Sequence, residues 1–120
     1  MIELIPNLPD EIVAVAARGT VSAEDYEKVL IPAIEEKLKK HSRIRMLYYL
    51  GKNFDRFTPA AMWDDAMVGL KHLTAFDKIA VVSDVRWIVE AVRIFAVFVP
   101  CPIRIFSDDN LSDAKNWLSQ

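Results

Sequence analysis

The chain has 120 residues, 52% hydrophobic and 27% charged, a composition that fits one folded domain with a full core. At that length roughly two thirds of the unfolded surface is buried on folding, so no disulfide or metal staple is needed. With 15 basic and 17 acidic residues the net charge is −2, and no global field favours nucleic acid as a partner.

Ile2 to Ile5 is a short apolar strand stopped by Pro6, and Asn7, Leu8, Pro9 and Asp10 form a turn. Glu11 to Arg18, rich in Ile, Val and Ala, is a second strand that Gly19-Thr20 ends. The short link makes these two strands antiparallel neighbours. Ser22 is a good N-cap, with Asp25 placed for a capping box, and the helix it opens runs to about His41. Tyr26, Val29, Leu30, Ala33, Ile34 and Leu38 are its buried stripe. Pro32 lies inside it, removes one backbone hydrogen bond and should kink it.

Ile44 to Leu50 is apolar at both pleat parities, the pattern of a central strand buried on both sides. Gly51 to Phe57 reads as a loop. Thr58 and Pro59 open a second helix, as N-cap and first residue, and Met62, Trp63, Ala66, Met67, Leu70 and Leu73 form its apolar face. Lys78 to Ser83 is another apolar strand, followed by a third helix over about Val85 to Val99. Pro100 and Pro102 end that helix and lead into a last strand, Ile103 to Phe106. A final helix from about Asn110 to Leu118 is capped by Asp108 or Asp109 and buries Leu111, Ala114, Trp117 and Leu118. The order β-β-α-β-α-β-α-β-α implies a single α/β domain with a mostly parallel sheet, right-handed crossovers and about four helices.

Most of the familiar chemistries are missing. No G-x-G-x-x-G or phosphate-loop motif is present, and Gly51-Lys52 lacks the rest of one. A zinc-type site needs three or four Cys or His ligands, whereas Cys101, His41 and His72 are far apart. No cofactor or metal is therefore expected. Cys101, alone, suits a reducing cytosol. The first residues lack a basic region and a long apolar run, so neither a signal peptide nor an anchor is expected. The basic run Lys37, Lys39, Lys40, His41, Arg43, Arg45 reads as helix-end charge paired with Glu35 and Glu36. Asp64-Asp65 reads as two solvated carboxylates near a helix start, splayed about 100° apart. Ser83-Asp84, at the end of a central strand, reads as a strand end and a helix cap. An enzyme would need polar groups converging on Asp84, Asp55 and Arg56, and no catalytic residue is assigned.

The segment V-R-W-I-V-E-A-V-R-I-F-A-V-F-V-P-C-P-I (85–103) is the most informative. Its charged residues, Arg86, Glu90 and Arg93, share one narrow helical stripe, and the rest of the cylinder is apolar. Such a helix is buried on most sides, meets a partner or lipid, or lines a cavity, and it is too short and charged to span a bilayer.

Four segments carry a family resemblance: G-T-V-S-A-E-D-Y-E-K-V-L-I-P-A-I-E-E (19–36), F-T-P-A-A-M-W-D-D-A (57–66), K-I-A-V-V-S-D-V-R-W (78–87), and R-I-F with A-K-N-W-L (104–118). Together they resemble the SpoIIAA-like (STAS-like) bacterial domains. The resemblance implies a mixed sheet of four or five strands and, for this branch, a module that binds small ligands or associates with membranes. Regulatory STAS domains carry an Asp-Ser-Ser-Gly type phosphorylation motif after the third strand. Here that region is L-G-K-N-F-D-R-F-T-P (50–59), without serine, and Thr58 is the nearest hydroxyl to a phosphoacceptor.

The resulting expectation is a non-enzymatic binding module for a hydrophobic small molecule or lipid, cytoplasmic and extending to peripheral contact with the inner face of the membrane. Met62, Trp63 and Met67 would form the wall of its site, and Phe95, Phe98 and Val99 the rim, with Trp87 at a polar–apolar boundary. Arg86 and Arg93 would meet an acidic head group, paired with Glu90 when the site is empty. The alternative is a protein-interaction or dimerisation domain that uses the same patch as an isologous interface.

Overall fold

The computed structural model describes residues 1–72 and 74–120, without the side chains of Ala66, Val68 and Leu70. The places expected on the second helix for Leu73, and for the side chains of Ala66 and Leu70, lie outside the described residues. Seven strands are described: β1 (Ile2–Leu4), β2 (Ile12–Ala17), β3 (Gly19–Val21), β4 (Ile44–Tyr49), β5 (Phe54–Phe57), β6 (Phe76–Val82) and β7 (Ile103–Phe106). The helices are α1 over 23–38, α2 (Pro59–Lys71), α3 (Arg86–Ala96) and α4 (Leu111–Ser119), the last entered through a 3-10 turn at Asp108–Asn110.

Five strands form the main sheet in the order β1-β2-β4-β6-β7. β1 lies antiparallel to β2, and the remaining pairs are parallel, each joined by a helical crossover. The two-residue period divides each central strand between two dry layers. On one face Val13, Val15, Ile44, Met46, Tyr48 and Val81 pack against Tyr26, Leu30 and Ile34 of α1, Ala61 of α2 and Ile88 of α3. On the other, Ile12, Ala14, Leu47, Ala80, Val82 and Phe106 pack against Ala114 and Leu118 of α4. Three helices thus share one face and one helix covers the other.

Two local features differ from the sequence reading. The segment 51–57, expected as a loop, contains β5, which pairs in parallel with β3 to make a separate two-stranded ribbon. Phe54 is buried and Asp55 and Arg56 are exposed; a pairing between segments more than thirty positions apart supplies what local propensity does not. Gly19 makes the break between β2 and β3 at a φ of 57°, where a side chain would be strained. In α1 the expected kink takes the form of a π turn over Tyr26–Leu30, ahead of Pro32. Proline has no N–H for the carbonyl one turn back, and the helix widens so that the Ile31 N–H reaches the Tyr26 carbonyl.

Helix entries are mixed. Ser22 and Asp25 form the expected reciprocal capping box. The Thr58 hydroxyl accepts the Ala61 N–H at 3.1 Å. Asp84 does not cap α3: the Ser83 hydroxyl accepts the Val85 N–H, and Asp84 accepts the Asp108 N–H across the ends of β6 and β7. Neither Asp108 nor Asp109 caps α4 through its side chain: both lie inside the 3-10 turn Asp108–Asn110, and Asn110 takes the N-cap position of α4.

Candidate functional site

A cleft of about 170 Å³ opens between the three-helix face of the sheet and α3. Its floor is Met46, Tyr48, Ile79 and Val81 from the sheet, and one wall is the α3 series Trp87, Ile88, Ala91, Val92 and Phe95. Spacings of three and four put those α3 residues on one flank of the helix. Ile88 is buried, whereas Trp87 and Phe95 keep 48% and 40% of their surface exposed, as side chains at an open mouth do. Phe57 stands between the mouth and the floor. Its ring meets Trp87 edge-on at 6.1 Å and Tyr48 edge-on at 6.4 Å.

The polar end of the cleft is a hydrogen-bond chain among three elements. Tyr26 of α1 donates to an Asp65 carboxylate oxygen on α2 at 2.8 Å, and its oxygen lies 2.8 Å from the Tyr48 hydroxyl on β4. With Asp65 ionised, Tyr26 has given its one proton away, so Tyr48 is the donor in the second bond. Both phenols are buried, and burial first, then the Asp65 charge, drives the Tyr26 hydroxyl's pKa far above the ordinary range. Burial likewise raises Tyr48, so both stay protonated. Asp65 is exposed and is among the residues that line the cleft. Desolvation raises its pKa above the ordinary carboxylate value and the Tyr26 hydrogen bond opposes the shift. Among the described residues Asp65 is the charged side chain lining the cleft, and none of them places a cation within ion-pair distance of it.

The residues singled out in the sequence take different places. Trp87 and Phe95 line the cleft. Met62, Trp63 and Met67 are exposed on α2 and are not lining residues. Phe98, 74% exposed, stands beyond the end of α3, while Val99 is buried. Arg86 and Arg93 are exposed outside the cleft, and among the described residues neither makes the expected ion pair with Glu90. Thr58 keeps its hydroxyl in the α2 cap. Asp65, read from the sequence as one of two solvated carboxylates, is exposed as expected, but one turn after the buried Ala61 it also accepts the Tyr26 hydroxyl and lines the cleft. Asp64, by contrast, is partly buried, with one buried oxygen unpartnered among the described residues.

At the ends of β6 and β7 Asp108 lies beside Asp84, Asp109 and Lys52; burial and then the Asp84 charge raise its pKa above the ordinary carboxylate value, and one of its oxygens is unpartnered among the described residues. Asp55 and Arg56 are exposed on β5 and no ion pair joins them among the described residues. The basic run is largely consumed: Lys37 and His41 meet Asp10 at 3.6 and 2.8 Å, and Arg43 and Arg45 meet Asp77 at 3.7 and 3.6 Å. Among the described residues no group of three or more His, Cys, Asp or Glu is placed to hold a metal, and no helix is long and apolar enough to cross a membrane.

The fold and its cleft define a small α/β domain with an open apolar cleft on its three-helix face. The SpoIIAA-like family model matches residues 12–119, and the chain belongs to that family. Among solved structures it is similar to an uncharacterised protein of the DUF3478 family, with a SpoIIAA-like fold, from Shewanella loihica PV-4. The two are 28% identical over 98% of this chain and 93% of that one, with a TM-score of 0.76. No curated protein matches the chain.

Two predictions follow from the hydrogen-bond chain. Tyr26→Phe removes two bonds and leaves the Tyr48 hydroxyl buried without its acceptor, at a cost on the order of 1–3 kcal/mol in urea unfolding. Tyr48→Phe removes one bond and leaves Tyr26 donating to Asp65, at about 1 kcal/mol; equal costs would contradict the assigned donor direction. Asp65 holds its proton in the folded state at pH values where the unfolded chain, near 3.8, has released it. Its stabilising contribution is therefore full below that value and lost as pH rises through the higher folded pKa. Asp65→Asn still accepts from Tyr26 but carries no charge, so its stability relative to the parent protein should improve between pH 4 and 7. A parallel pair of stability–pH curves would refute the shift.

Proposed function

We propose that this SpoIIAA-like domain is a non-enzymatic binding module whose cleft takes a hydrophobic small molecule or the apolar part of a lipid. The observation that carries this reading is the open apolar cleft itself, with aromatic side chains at its mouth and a single carboxylate–phenol chain at its polar end. Sites of this kind are concave and mostly apolar, with few polar groups to orient what enters. Ile94, Phe95, Val97 and Phe98 are large apolar side chains left exposed within five positions of one another, close to the mouth at Phe95. They give the site a greasy approach, suited to delivery from a lipid surface.

The same four side chains favour a second reading, a dimer or protein-interaction domain lacking the phosphorylatable serine motif of anti-sigma factor antagonists. In that case the end of α3 is an isologous contact. Sedimentation of dilute protein separates the two: a monomer that takes up ligand fits the first, and a tight dimer with a closed cleft fits the second.

The double variant Phe95→Ser, Phe98→Ser should retain the parent circular dichroism spectrum and lose most uptake of N-phenyl-1-naphthylamine, an uncharged apolar dye that fluoresces when bound. A folded double variant that binds the dye like the parent protein would count against this site.

A further inference from the structure

The chemistry at the inner end of the cleft specifies which head group the site accepts, and it points away from the acidic one. Among the described residues the side chains lining the cleft include one charge, the Asp65 carboxylate, and no cation. One Asp65 oxygen takes the Tyr26 hydroxyl, and no described residue donates a hydrogen bond to the other. The proton of Tyr48, the phenol that lines the cleft, is spent on Tyr26 when Asp65 is ionised. The indole N–H of Trp87 is the remaining strong donor among the lining side chains, and it carries no charge. The site is therefore rich in acceptors and poor in donors, and its fixed charge is negative. Arg86 and Arg93, the nearest cations in sequence on α3, are not part of the lining.

An exposed carboxylate with no ion-pair partner among the described residues leaves its charge unmatched, and a second anion placed beside it adds repulsion. A cation that donates hydrogen bonds removes both penalties at once, because it neutralises the charge and satisfies the free oxygen. Resting on the reading of the cleft as a ligand site, we propose that its ligand is an amphipathic amine. Its apolar chain lies along Phe57, Trp87, Ala91 and Phe95, and its ammonium group meets the free oxygen of Asp65.

Displacement of N-phenyl-1-naphthylamine by octylamine, octanol and octanoate, at neutral pH and low salt, tests this. The three share one chain length and differ in the head group. Octylamine should displace the dye at about tenfold lower concentration than octanol, and octanoate should be the weakest. In Asp65→Asn the amine should lose its advantage and displace the dye no better than octanol, since the ammonium then meets a neutral amide oxygen with no counter-charge to offset its desolvation. Octanoate displacing as well as octylamine, or an amine preference unchanged in folded Asp65→Asn, would overturn the head-group assignment while leaving the apolar site in place. If neither the dye nor any of the three binds, the cleft is no ligand site and both readings fall together. Should the variant not fold, the ranking in the parent protein still decides the assignment.

Discussion

The hydroxyl of Tyr26 is the point on which the architecture of the site turns. It is fully buried, and it takes a hydrogen bond from β4 and gives one to α2. A phenol in that position cannot be left unpaired without a cost comparable to a substantial part of a small domain's stability. The packing of α1 and α2 on the sheet is therefore constrained by polar geometry as well as by apolar area. The π turn that carries Tyr26 belongs to the same arrangement. Pro32 denies α1 one regular hydrogen bond, and the widened turn sits where the helix meets both partners. A backbone irregularity, a buried phenol and a carboxylate open to a cavity thus form one unit.

The two faces of the sheet use their apolar residues differently. Opposite the cleft, α4 packs through Ala114 and Leu118 on Ile12, Ala14, Leu47, Ala80, Val82 and Phe106, with Trp117 near the Phe106 ring at 6.1 Å. On the cleft face α1 and α2 are fixed to the sheet through Tyr26, Leu30, Ile34 and Ala61, whereas the described residues of α3 bury Ile88 and leave Trp87, Ile94 and Phe95 exposed. A helix with so much apolar surface and so little of it buried is poorly satisfied by the fold in isolation, a feature α2 shares through Met62, Trp63 and Met67. Function is read most directly from that imbalance.

Much of the fold was legible in the sequence because its signals are local. Ser22 and Asp25 mark the start of α1, Pro32 its irregularity, and the double-sided apolar run of β4 its place in the centre of the sheet. The family resemblance rested on packing patterns of this sort and agrees with the family that the chain belongs to. The pairing of β3 with β5 was not legible, because neither short segment signals its partner and Gly51 to Phe57 has the composition of a loop. The site was legible in part. The apolar run of α3 drew attention to Trp87 and Phe95, which line the cleft, but gave no means of choosing the flank that faces the sheet, so Phe98 and Val99 were grouped with them. Asp65 was missed because two adjacent carboxylates near a helix start have an ordinary electrostatic explanation. The available signal was its one-turn spacing from the apolar Ala61, together with two tyrosines at buried positions whose hydroxyls needed a partner.

The central claim is that the cleft between α3 and the sheet holds an apolar ligand. Native mass spectrometry of protein purified from cells, followed by extraction with organic solvent, tests it most directly. The account predicts a monomer carrying extra mass that the solvent removes and that is absent from the Phe95→Ser, Phe98→Ser variant. A clean, ligand-free dimer that persists on dilution would contradict it and make the exposed end of α3 a protein interface.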